Sequence, residues 1–424
     1  MKIQRMIGKH EEQTYLEVPF EVNGEIERIE VRYRYDNPDG RAVIDIGLRS
    51  PERIAGWSGG ARDEFFVALE KATPGYLAGP ITEGTWYVLL GAYRVPDDGC
   101  TVTIEIELTT KHGRWMKGDL HMHSLHSDGS YTIAEVIEIC KERGLSFIAL
   151  TDHNTASQNK TAANSDDQLL LIPGVELTSY KGHANILGHP DALDDFRVLT
   201  PDHGSNVLQK AAGRGGLVSL NHPFCPDCPW ELGFDVSFDA VEVWNGPWRP
   251  LNEAAVGWWH KQLCEGRRLP AIGGSDTHRP DLFVRHGRPT THVWVEAETV
   301  DDVLTAVRTG RVVLSCDPDD TFITLASGSS RIGDEIEMDG LEHIELTLEV
   351  HRANNDRVSL WSDCGLEQEW IVDGNAELTC AAAADRLFYR VEARRYIPEM
   401  DKTIMTCLTN PIYLRGSGKA GEGQ

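Results

Sequence analysis

Regular alternation of apolar and polar residues marks both ends of the chain as β-rich. Ile29 to Tyr35 and Val102 to Leu108 each place an apolar side chain at every second position, and Ile344 to Val350 repeats the pattern. This is the period of a strand with one buried face. With the Gly and Pro turns between them, these runs predict β-sandwiches over residues 1–115 and 318–415.

The middle of the chain, residues 116–317, follows another pattern. Thr132 to Gly144 and Thr299 to Gly310 carry apolar residues at helical spacing, and Thr132 with Glu135 fits a capping box. Short apolar runs alternate with these helices: Phe147 to Leu150, Leu169 to Ile172, Leu217 to Leu220, Ala240 to Val243 and Leu269 to Ile272. This βαβα order predicts an α/β fold with a parallel sheet or barrel. The Gly-rich, polar end, residues 416–424, predicts a disordered tail.

Residues of the types that can bind metal ions lie where the predicted strands of the middle segment end. His121 and His123 are two positions apart, so both point to one face of a strand and can hold one ion. Strand ends meet at one edge of such a fold. The full candidate set is His121, His123, Asp128, His153, Glu176, His183, His222, Asp276 and His278. These imidazoles and carboxylates predict two or three divalent ions, with Zn, Fe or Mn favoured over Ca or Mg.

Charge and composition narrow the partners. A net charge of −25 repels a phosphate backbone, so no long nucleic acid is expected. Divalent ions would make the pocket positive, which suits a small anionic or ester substrate. No apolar run approaches a membrane span and the N-terminus shows no signal, so a cytoplasmic protein without a membrane partner is expected. The nine scattered cysteines indicate reduced thiols. The oligomeric state stays open.

The motifs that carry these ligands resemble those of the PHP family (polymerase and histidinol phosphatase). In chain order they are DLHMHSLHSDG, TDH, GVE, GHANILG, NHP and GSDTH. The resemblance implies a PHP-type distorted (β/α)7 barrel over residues 116–317. The flanking strands and the sequence TNPIYL near the end are similar to the CehA/McbA-like branch of these metallohydrolases.

The resemblance also implies how the ligands are shared in a di- or trinuclear centre. The implied groups are His121, His123, Glu176 and Asp276 for one ion, Glu176 as a bridge with His183 and His222 for a second, and Asp128, His153 and His278 for a third. Two histidines compete for places in these groups. His126 is the alternative to Asp128, and His189 is the alternative to His183.

Other polar residues near these motifs are candidates for roles beside the ions. Asp119 and Asp152 precede ligands and are expected to accept hydrogen bonds from imidazole N–H groups or to be structural carboxylates. His126, Asp152 and Arg285 are the candidate catalytic residues. His126 would face the substrate, and Arg285 would neutralise its charge or belong to a solvated loop. Two further residues at a strand end, Glu242 and Asn245, are expected to shape the pocket.

The leading hypothesis is a metal-dependent phosphoesterase that hydrolyses small phosphate mono- or diesters with a metal-bound hydroxide. The alternative is a carbamate, carboxyl ester or amide hydrolase of the CehA/McbA type. A non-catalytic metal-binding assembly subunit is a third reading, which the full ligand set disfavours. Gly56 to Gly60 matches the spacing of a serine nucleophile elbow but lacks its strand–helix context, so a flexible loop is expected. Cys225 and Cys228 suggest an ordered loop near the pocket rim, since a lone pair is weak evidence for structural zinc.

Overall fold

The computed structural model describes residues 1–23, 26–37, 40–69, 71–110, 113–162, 169–191, 193–338 and 340–415. The chain divides into two compact units, Met1–Gly113 and Arg114–Gln424. The predicted disordered tail, 416–424, lies outside the described residues. No helix in these described ranges is long and apolar enough to cross a membrane.

The described part of the first unit is built from strands. They are β1 (Lys2–Ile7), β2 (Tyr15–Val22), β3 (Ile26–Tyr35), β4 (Val43–Arg49), β5 (Ile54–Gly59), β6 (Glu64–Ala68), β7 (Gly84–Arg94) and β8 (Cys100–Thr110). They form two antiparallel sheets with the orders β1-β8-β3-β6 and β2-β7-β4-β5. Ile29 and Ile104 from one sheet share a buried cluster with Ile46 and Leu90 from the other. The alternation along β3 and β8 is therefore that of strands over a common core, and the β-sandwich stays our interpretation of this pair of sheets.

The flexible loop predicted at Gly56 to Gly60 is wrong, because β5 runs through Gly59 and pairs with β4. The glycine at position 56 serves a close approach rather than flexibility. A Cβ atom there would lie 2.2 Å from Cδ1 of Tyr76, whose ring covers the strand. Glycine in a strand commonly marks such a contact. The exclusion of a nucleophile elbow agrees with the structure, since β6 and not a helix follows β5.

The second unit begins with alternating strands and helices, which makes the chain a strand-rich mixed α/β protein. The elements are β9 (Arg114–Asp119), α1 (Ile133–Glu142), β10 (Phe147–Leu150), α2 (Ser157–Ala162), β11 (Leu170–Ser179), β12 (Gly182–Leu187), α3 (Pro201–Gly213), β13 (Leu217–Asn221), β14 (Ala240–Asn245), α4 (Pro250–Cys264), β15 (Ala271–Gly274), β16 (Thr290–Val295), α5 (Val300–Arg308) and β17 (Val312–Ser315). Parallel pairing joins β9 to β10, β10 to β11, β13 to β14 and β14 to β15. The seven-unit barrel itself stays a prediction.

Strand β12 departs from the parallel order that the βαβα pattern predicted. It runs antiparallel to both β11 and β13. Only Tyr180 and Lys181 separate β11 from β12, and a connection this short can join only antiparallel strands. The hairpin pairs Thr178 with His183, so His183 and Glu176 stand near each other on adjacent strands.

The two predicted helices form with the expected ends. Thr132 and Glu135 make the capping box of α1: the Thr132 hydroxyl accepts from the Glu135 N–H, and the Glu135 carboxylate accepts from the Thr132 N–H. Thr299 caps α5, and Gly310 follows the helix with a φ of 71°, a left-handed conformation that glycine adopts freely. The cap residues therefore fix where both helices start.

Strands also make up the described C-terminal part of the second unit. They are β18 (Phe322–Ser327), β19 (Ser330–Arg331), β20 (Glu335–Glu337), β21 (His343–Ser362), β22 (Gly365–Ala383), β23 (Phe388–Ile397), β24 (Lys402–Thr409) and β25 (Ile412–Arg415). Strand β24 pairs with β17, so the hydrogen bonding continues across the predicted boundary at residue 317. A separate C-terminal domain with its own sandwich stays a prediction.

Candidate metal centre

The carboxylate of Glu176, on β11, lies at the middle of the predicted ligand set and is fully buried. Imidazole nitrogens approach its two oxygens at 2.7 to 3.6 Å, and they belong to His121, His123, His153, His183 and His222. The histidines come from the chain after β9 and β10, from β12 and from the end of β13. One carboxylate therefore gathers ligands from four places in the sequence.

Two further carboxylates complete the cluster. Asp276, after β15, has its Oδ1 3.3 Å from His121 Nε2 and 3.1 Å from His123 Nε2. Asp128 Oδ1 lies 3.4 Å from the Nε2 atoms of both His153 and His278. The structure thus brings all nine predicted ligands together, from buried Glu176 out to exposed Asp128.

The ligand atoms fall into groups whose members all lie within 4.8 Å of one another. The groups are His121 with His123 and Glu176, His121 with His222 and Asp276, His123 with Asp128, His153 and His278, and His183 with His222 and Cys228. The third group contains the implied Asp128, His153 and His278 set and adds His123. The fourth contains a cysteine that was not among the predicted ligands.

The two histidines of the HxH pair test whether these residues fit metal ions. His121 and His123 are buried, and the Nε2 atom of each lies 3.1–3.5 Å from oxygens of Glu176 and Asp276. Within the described residues, however, neither these Nε2 atoms nor Nδ1 of His123 make a hydrogen bond of acceptable geometry. A buried polar atom without a partner costs about 1–3 kcal/mol. Each neutral imidazole has one lone pair, and a divalent cation that accepts it removes that cost for the nitrogen it binds. The nitrogen and oxygen donors suit transition-metal ions. The donor set therefore fits divalent metal binding.

The charges of the cluster also suit cations. Burial opposes ionisation of Glu176, but the imidazoles around it, His121 first, hold the pKa of its carboxyl well below the usual range. Burial acts in the same direction on Asp276, and His121 and His123 likewise hold its pKa well below normal. Both carboxyl groups are therefore anionic at neutral pH.

The partner of the His121 imidazole is Glu242, on β14. Its Oε1 lies 2.9 Å from His121 Nδ1, and its Oε2 accepts from the backbone N–H of His222 at 3.0 Å and from Asn245 Nδ2 at 3.2 Å. A carboxylate only accepts, so Nδ1 of His121 carries the hydrogen and Nε2 presents its lone pair to the centre. Glu242 and Asn245 lie at the centre as expected, but the sequence did not assign the imidazole contact.

The contacts of the two aspartates favour the second of the two expectations, the structural carboxylate, over the imidazole partner. Asp119 accepts from the backbone N–H groups of His121, Ser275 and Gly287 at 2.6 to 3.2 Å. Asp152 accepts from the N–H and hydroxyl of Ser124 and the hydroxyl of Ser127. Each carboxylate accepts three hydrogen bonds from backbone N–H or hydroxyl groups, and none of these donors is an imidazole. The two aspartates hold ligand-bearing loops instead.

Two polar residues that the sequence analysis missed hold ligands directly. Thr178 Oγ1 lies 2.6 Å from His153 Nδ1. Asn221 Nδ2 donates to Glu176 Oε1 at 2.8 Å. Asn221 immediately precedes His222 and Thr178 lies two residues after Glu176, and this proximity is the only signal of their role in the sequence.

The backbone around the centre adopts conformations that non-glycine residues rarely take. His222, Asp276 and Asn154, which follows His153, have φ values of 28°, 54° and 54°. Left-handed backbone at such residues costs on the order of 1–3 kcal/mol and concentrates at functional sites. Two of the three residues with this strained backbone, His222 and Asp276, are candidate ligands.

The remaining predicted residues lie outside the ligand groups. His126 Nδ1 is 2.8 Å from the Ser157 hydroxyl, and His189 Nδ1 accepts from the Asp191 N–H, so Asp128 and His183 are the residues at the centre. Arg285 is exposed in the loop after β15. The catalytic roles of His126, Asp152 and Arg285 stay predictions.

An arginine that the sequence did not single out lies closer to the ligands. Arg249 Nη2 donates to Asn245 Oδ1 at 3.0 Å. The Nδ2 of Asn245 in turn donates to Asp276 Oδ2 at 3.3 Å. A positive charge is therefore connected through one amide to a ligand carboxylate.

Comparison with known proteins bears on the same part of the chain. Residues 119–208 match the family model of the PHP domain, and this range holds the candidate ligands from His121 to His183. A two-domain protein from Bacteroides vulgatus, described as containing a predicted PHP-like metal-dependent phosphoesterase, is similar at 17% identity, over 70% of this chain and 96% of that one, with a TM-score of 0.40.

Three relatives match shorter stretches. An uncharacterized protein of Methanocaldococcus jannaschii is 28% identical over 31% of this chain and 82% of that protein. The DNA polymerase/3'-5' exonuclease PolX of Bacillus subtilis is 51% identical over 15% of this chain and 14% of its own length. The phosphoribosyl 1,2-cyclic phosphate 1,2-diphosphodiesterase of Eggerthella lenta is 36% identical over 15% and 24%. The chain spans less than two thirds of the last two, and the family match together with the ligand geometry supports the PHP family and a metal-dependent hydrolase.

Proposed function

We propose that the protein is a metal-dependent phosphoesterase that hydrolyses small phosphate mono- or diesters at a di- or trinuclear centre. The observation that carries this is the convergence of six histidines and the carboxylates of Asp128, Glu176 and Asp276, with buried nitrogens of His121 and His123 that make no hydrogen bond among the described residues. The (β/α)7 barrel, the flanking β-sandwiches and the CehA/McbA-like branch belong to the same proposal. Zn, Fe or Mn would be the ions.

The resemblance to the PHP family names the residues that would hold each ion. His121, His123, Glu176 and Asp276 would hold one ion, His183 and His222 a second with Glu176 as a bridge, and Asp128, His153 and His278 a third. When bound, the ions would activate a water molecule and neutralise the oxygens of a phosphoryl group. The chain's own contribution is to hold the ligands in place and to shape access.

Hydrogen bonds of the chain orient these ligands before any ion binds. Glu242 takes the Nδ1 hydrogen of His121, and the carbonyl of Asp276 takes that of His278 at 2.9 Å. In each ring the other nitrogen, Nε2, lies 3.3–3.4 Å from a ligand carboxylate, and in the neutral ring it carries the lone pair that an ion would take. Such partners fix the tautomer and reduce the reorganisation needed on binding.

The open side of the centre favours a small substrate. Asp128 is exposed, and His153 and His278 beside it are partly exposed, while Glu176 and His123 are buried. A substrate would therefore approach over the Asp128 side. Arg249 and Arg285 are exposed guanidinium groups that would contact its anionic part.

Hydrolysis of chromogenic esters by the reconstituted protein tests the proposal. We would compare p-nitrophenyl phosphate, bis-p-nitrophenyl phosphate and a p-nitrophenyl carbamate, each with Zn²⁺, Mn²⁺ and Fe²⁺. Asp276→Asn removes a ligand charge while asparagine tolerates the left-handed backbone, and we expect at least a ~100-fold loss of phosphoester turnover. His183→Ala removes a second candidate ligand and should also lose turnover. Its control is His189→Ala, which alters a histidine outside the ligand groups and should retain turnover.

Each result separates the hypotheses. Phosphoester turnover that survives in both Asp276→Asn and His183→Ala would refute the assignment of the site. Carbamate turnover alone would favour the carbamate or carboxyl ester hydrolase. Tight ion binding without turnover of any of the three esters would favour the metal-binding assembly subunit.

A further inference from the structure

The loop that follows β13 folds back onto two of the candidate ligands. The Cys225 N–H donates to the His222 carbonyl at 2.8 Å, and the Trp230 N–H donates to the Pro223 carbonyl at 3.0 Å. The Glu231 N–H donates to the carbonyl of Lys181, in the turn that leads into β12, at 2.8 Å. The loop is thus tied at one end to His222 and at the other to the hairpin that carries His183.

These ties place Cys228 against both histidines. Its Sγ lies 3.7 Å from Nδ1 of His222, and the ligand atoms of Cys228, His222 and His183 are all within 4.8 Å of one another. A nitrogen and a thiolate sulfur bound to one tetrahedral zinc ion, at ~2.0–2.1 and ~2.3 Å, are about 3.6 Å apart. The spacing of Cys228 and His222 is therefore that of two ligands of one ion.

His222 has a nitrogen on each side of this arrangement. Its Nε2 lies 3.6 Å from Glu176 Oε1, and its Nδ1 faces the thiol of Cys228. A neutral imidazole has one lone pair, so it serves one ion at a time. An ion on the sulfur side and an ion on the Glu176 side would therefore compete for His222.

We propose that Cys228, His183 and His222 form an additional position for a thiophilic divalent ion such as Zn²⁺, at the edge of the centre. The inference rests on the proposed metal centre, because two of its three ligands are shared with it. Binding there forms a metal–sulfur bond and releases the thiol proton to solvent. A thiolate is a soft ligand, so this position prefers Zn²⁺ to Mn²⁺. The preference is stronger than at a site made only of carboxylates and imidazoles.

Cobalt spectroscopy on the metal-stripped, full-length protein tests the position without relying on activity. Co²⁺ bound to a thiolate gives an intense charge-transfer band in the near ultraviolet, whereas Co²⁺ held only by nitrogen and oxygen gives weak visible bands. We expect the charge-transfer band in the wild type and in Cys225→Ser, and its complete loss in Cys228→Ser. Cys225→Ser is the matched control because Cys225 is in the same loop but in none of the ligand groups.

The outcomes distinguish this inference from the proposed function. Visible bands without a charge-transfer band in the wild type would overturn the thiolate position and leave the centre standing. A charge-transfer band that persists in Cys228→Ser would also overturn it. No cobalt bands at all would refute the metal centre itself. Circular dichroism of both variants establishes that they fold, and Cys228→Ala, which should lose the band equally, covers the case in which the serine variant does not.

Discussion

Two buried polar clusters in the second unit differ in how completely their atoms are paired. In the first, Asp356 is fully buried, and its oxygens accept from Arg395 Nε at 2.6 Å, Arg395 Nη2 at 3.0 Å, Thr321 at 2.5 Å and Thr406 at 2.9 Å. In the second, around Glu176, buried nitrogens of His121 and His123 have no hydrogen-bond partner among the described residues.

The difference separates a cluster that holds the fold from one that binds a ligand. Burial opposes the charge of Arg395, but Asp356 and Asp320 raise the pKa of its guanidinium, so each charge is paired within the chain. The cluster around Glu176 has lone pairs left over, which is unfavourable unless cations bind. Completeness of pairing, rather than burial or charge, therefore indicates function.

Removal of one partner from the complete cluster should have the largest effect. Arg395→Ala leaves the buried Asp356 carboxylate without its opposite charge, with the hydroxyls of Thr321 and Thr406 as its remaining donors. We expect this to reduce the free energy of unfolding by about 3–5 kcal/mol without changing the ions bound per folded molecule. Urea unfolding and metal analysis measure the two quantities. The control is Arg114→Ala, which breaks an exposed pair with Glu298 and should cost about 1 kcal/mol or less. Equal losses in the two variants, or lost ions in Arg395→Ala, would break the comparison.

A substitution next to the cluster around Glu176 should change ion affinity rather than stability. Glu242→Gln removes the charge that orients His121, and we expect ion affinity to fall by about 10–100-fold with little effect on unfolding in the absence of ions. Competition with a chromogenic chelator measures the affinity. Glu253→Gln, on the exposed face of α4, is the control and should leave affinity unchanged. Unaltered affinity in Glu242→Gln would show that the carboxylate has no orienting role.

The smallest effect concerns a buried histidine outside both clusters. Burial lowers the pKa of His292 to about 3, with Lys117 and Arg352 acting in the same direction. The unfolded chain therefore takes up the proton first as pH falls, so stability is present above pH ~6.5 and decreases below it, by about 1 kcal/mol down to pH ~5.5. His292→Gln should flatten this part of the stability–pH curve relative to His343→Gln, which alters an exposed histidine. Parallel stability–pH curves for the two variants would contradict the lowered pKa of His292.

The pKa of His121 is shifted in the opposite direction to that of His292. His121 is as buried as His292, yet Asp276 and Glu242 outweigh burial and raise the pKa of its imidazole well above normal. The presence or absence of carboxylates around a buried histidine therefore decides whether its pKa is raised or lowered.

Features that depend on local sequence could be predicted from the chain alone. The predicted run Phe147 to Leu150 is β10 exactly, and Thr132 with Glu135 caps α1 as expected. The candidate ligands that the structure brings together were also identifiable, because strand ends lie at one edge. His121 and His123 needed only the period of a strand to be placed side by side.

Features that depend on distant parts of the chain could not be predicted. The contact between Glu242 and His121 joins residues 121 positions apart, and no local pattern predicts it. Helix α4 was missed because apolar Trp258 and Trp259 are adjacent, which obscures a single buried stripe. Cys228 was set aside as part of a lone pair of cysteines, since only the folded loop shows that it meets His222.

The centre joins parts of the chain that are separated by very different lengths of sequence. The Ser179 hydroxyl donates to Gly182 only three residues away, within the hairpin of Glu176 and His183, whereas Ser275 reaches the His121 carbonyl across 154 residues. Closing a longer loop costs more entropy, so the second contact forms later. Ion uptake during refolding should therefore lag behind the rise of secondary structure, and simultaneous signals would contradict this order. Bound metal then reports that this unit has finished folding.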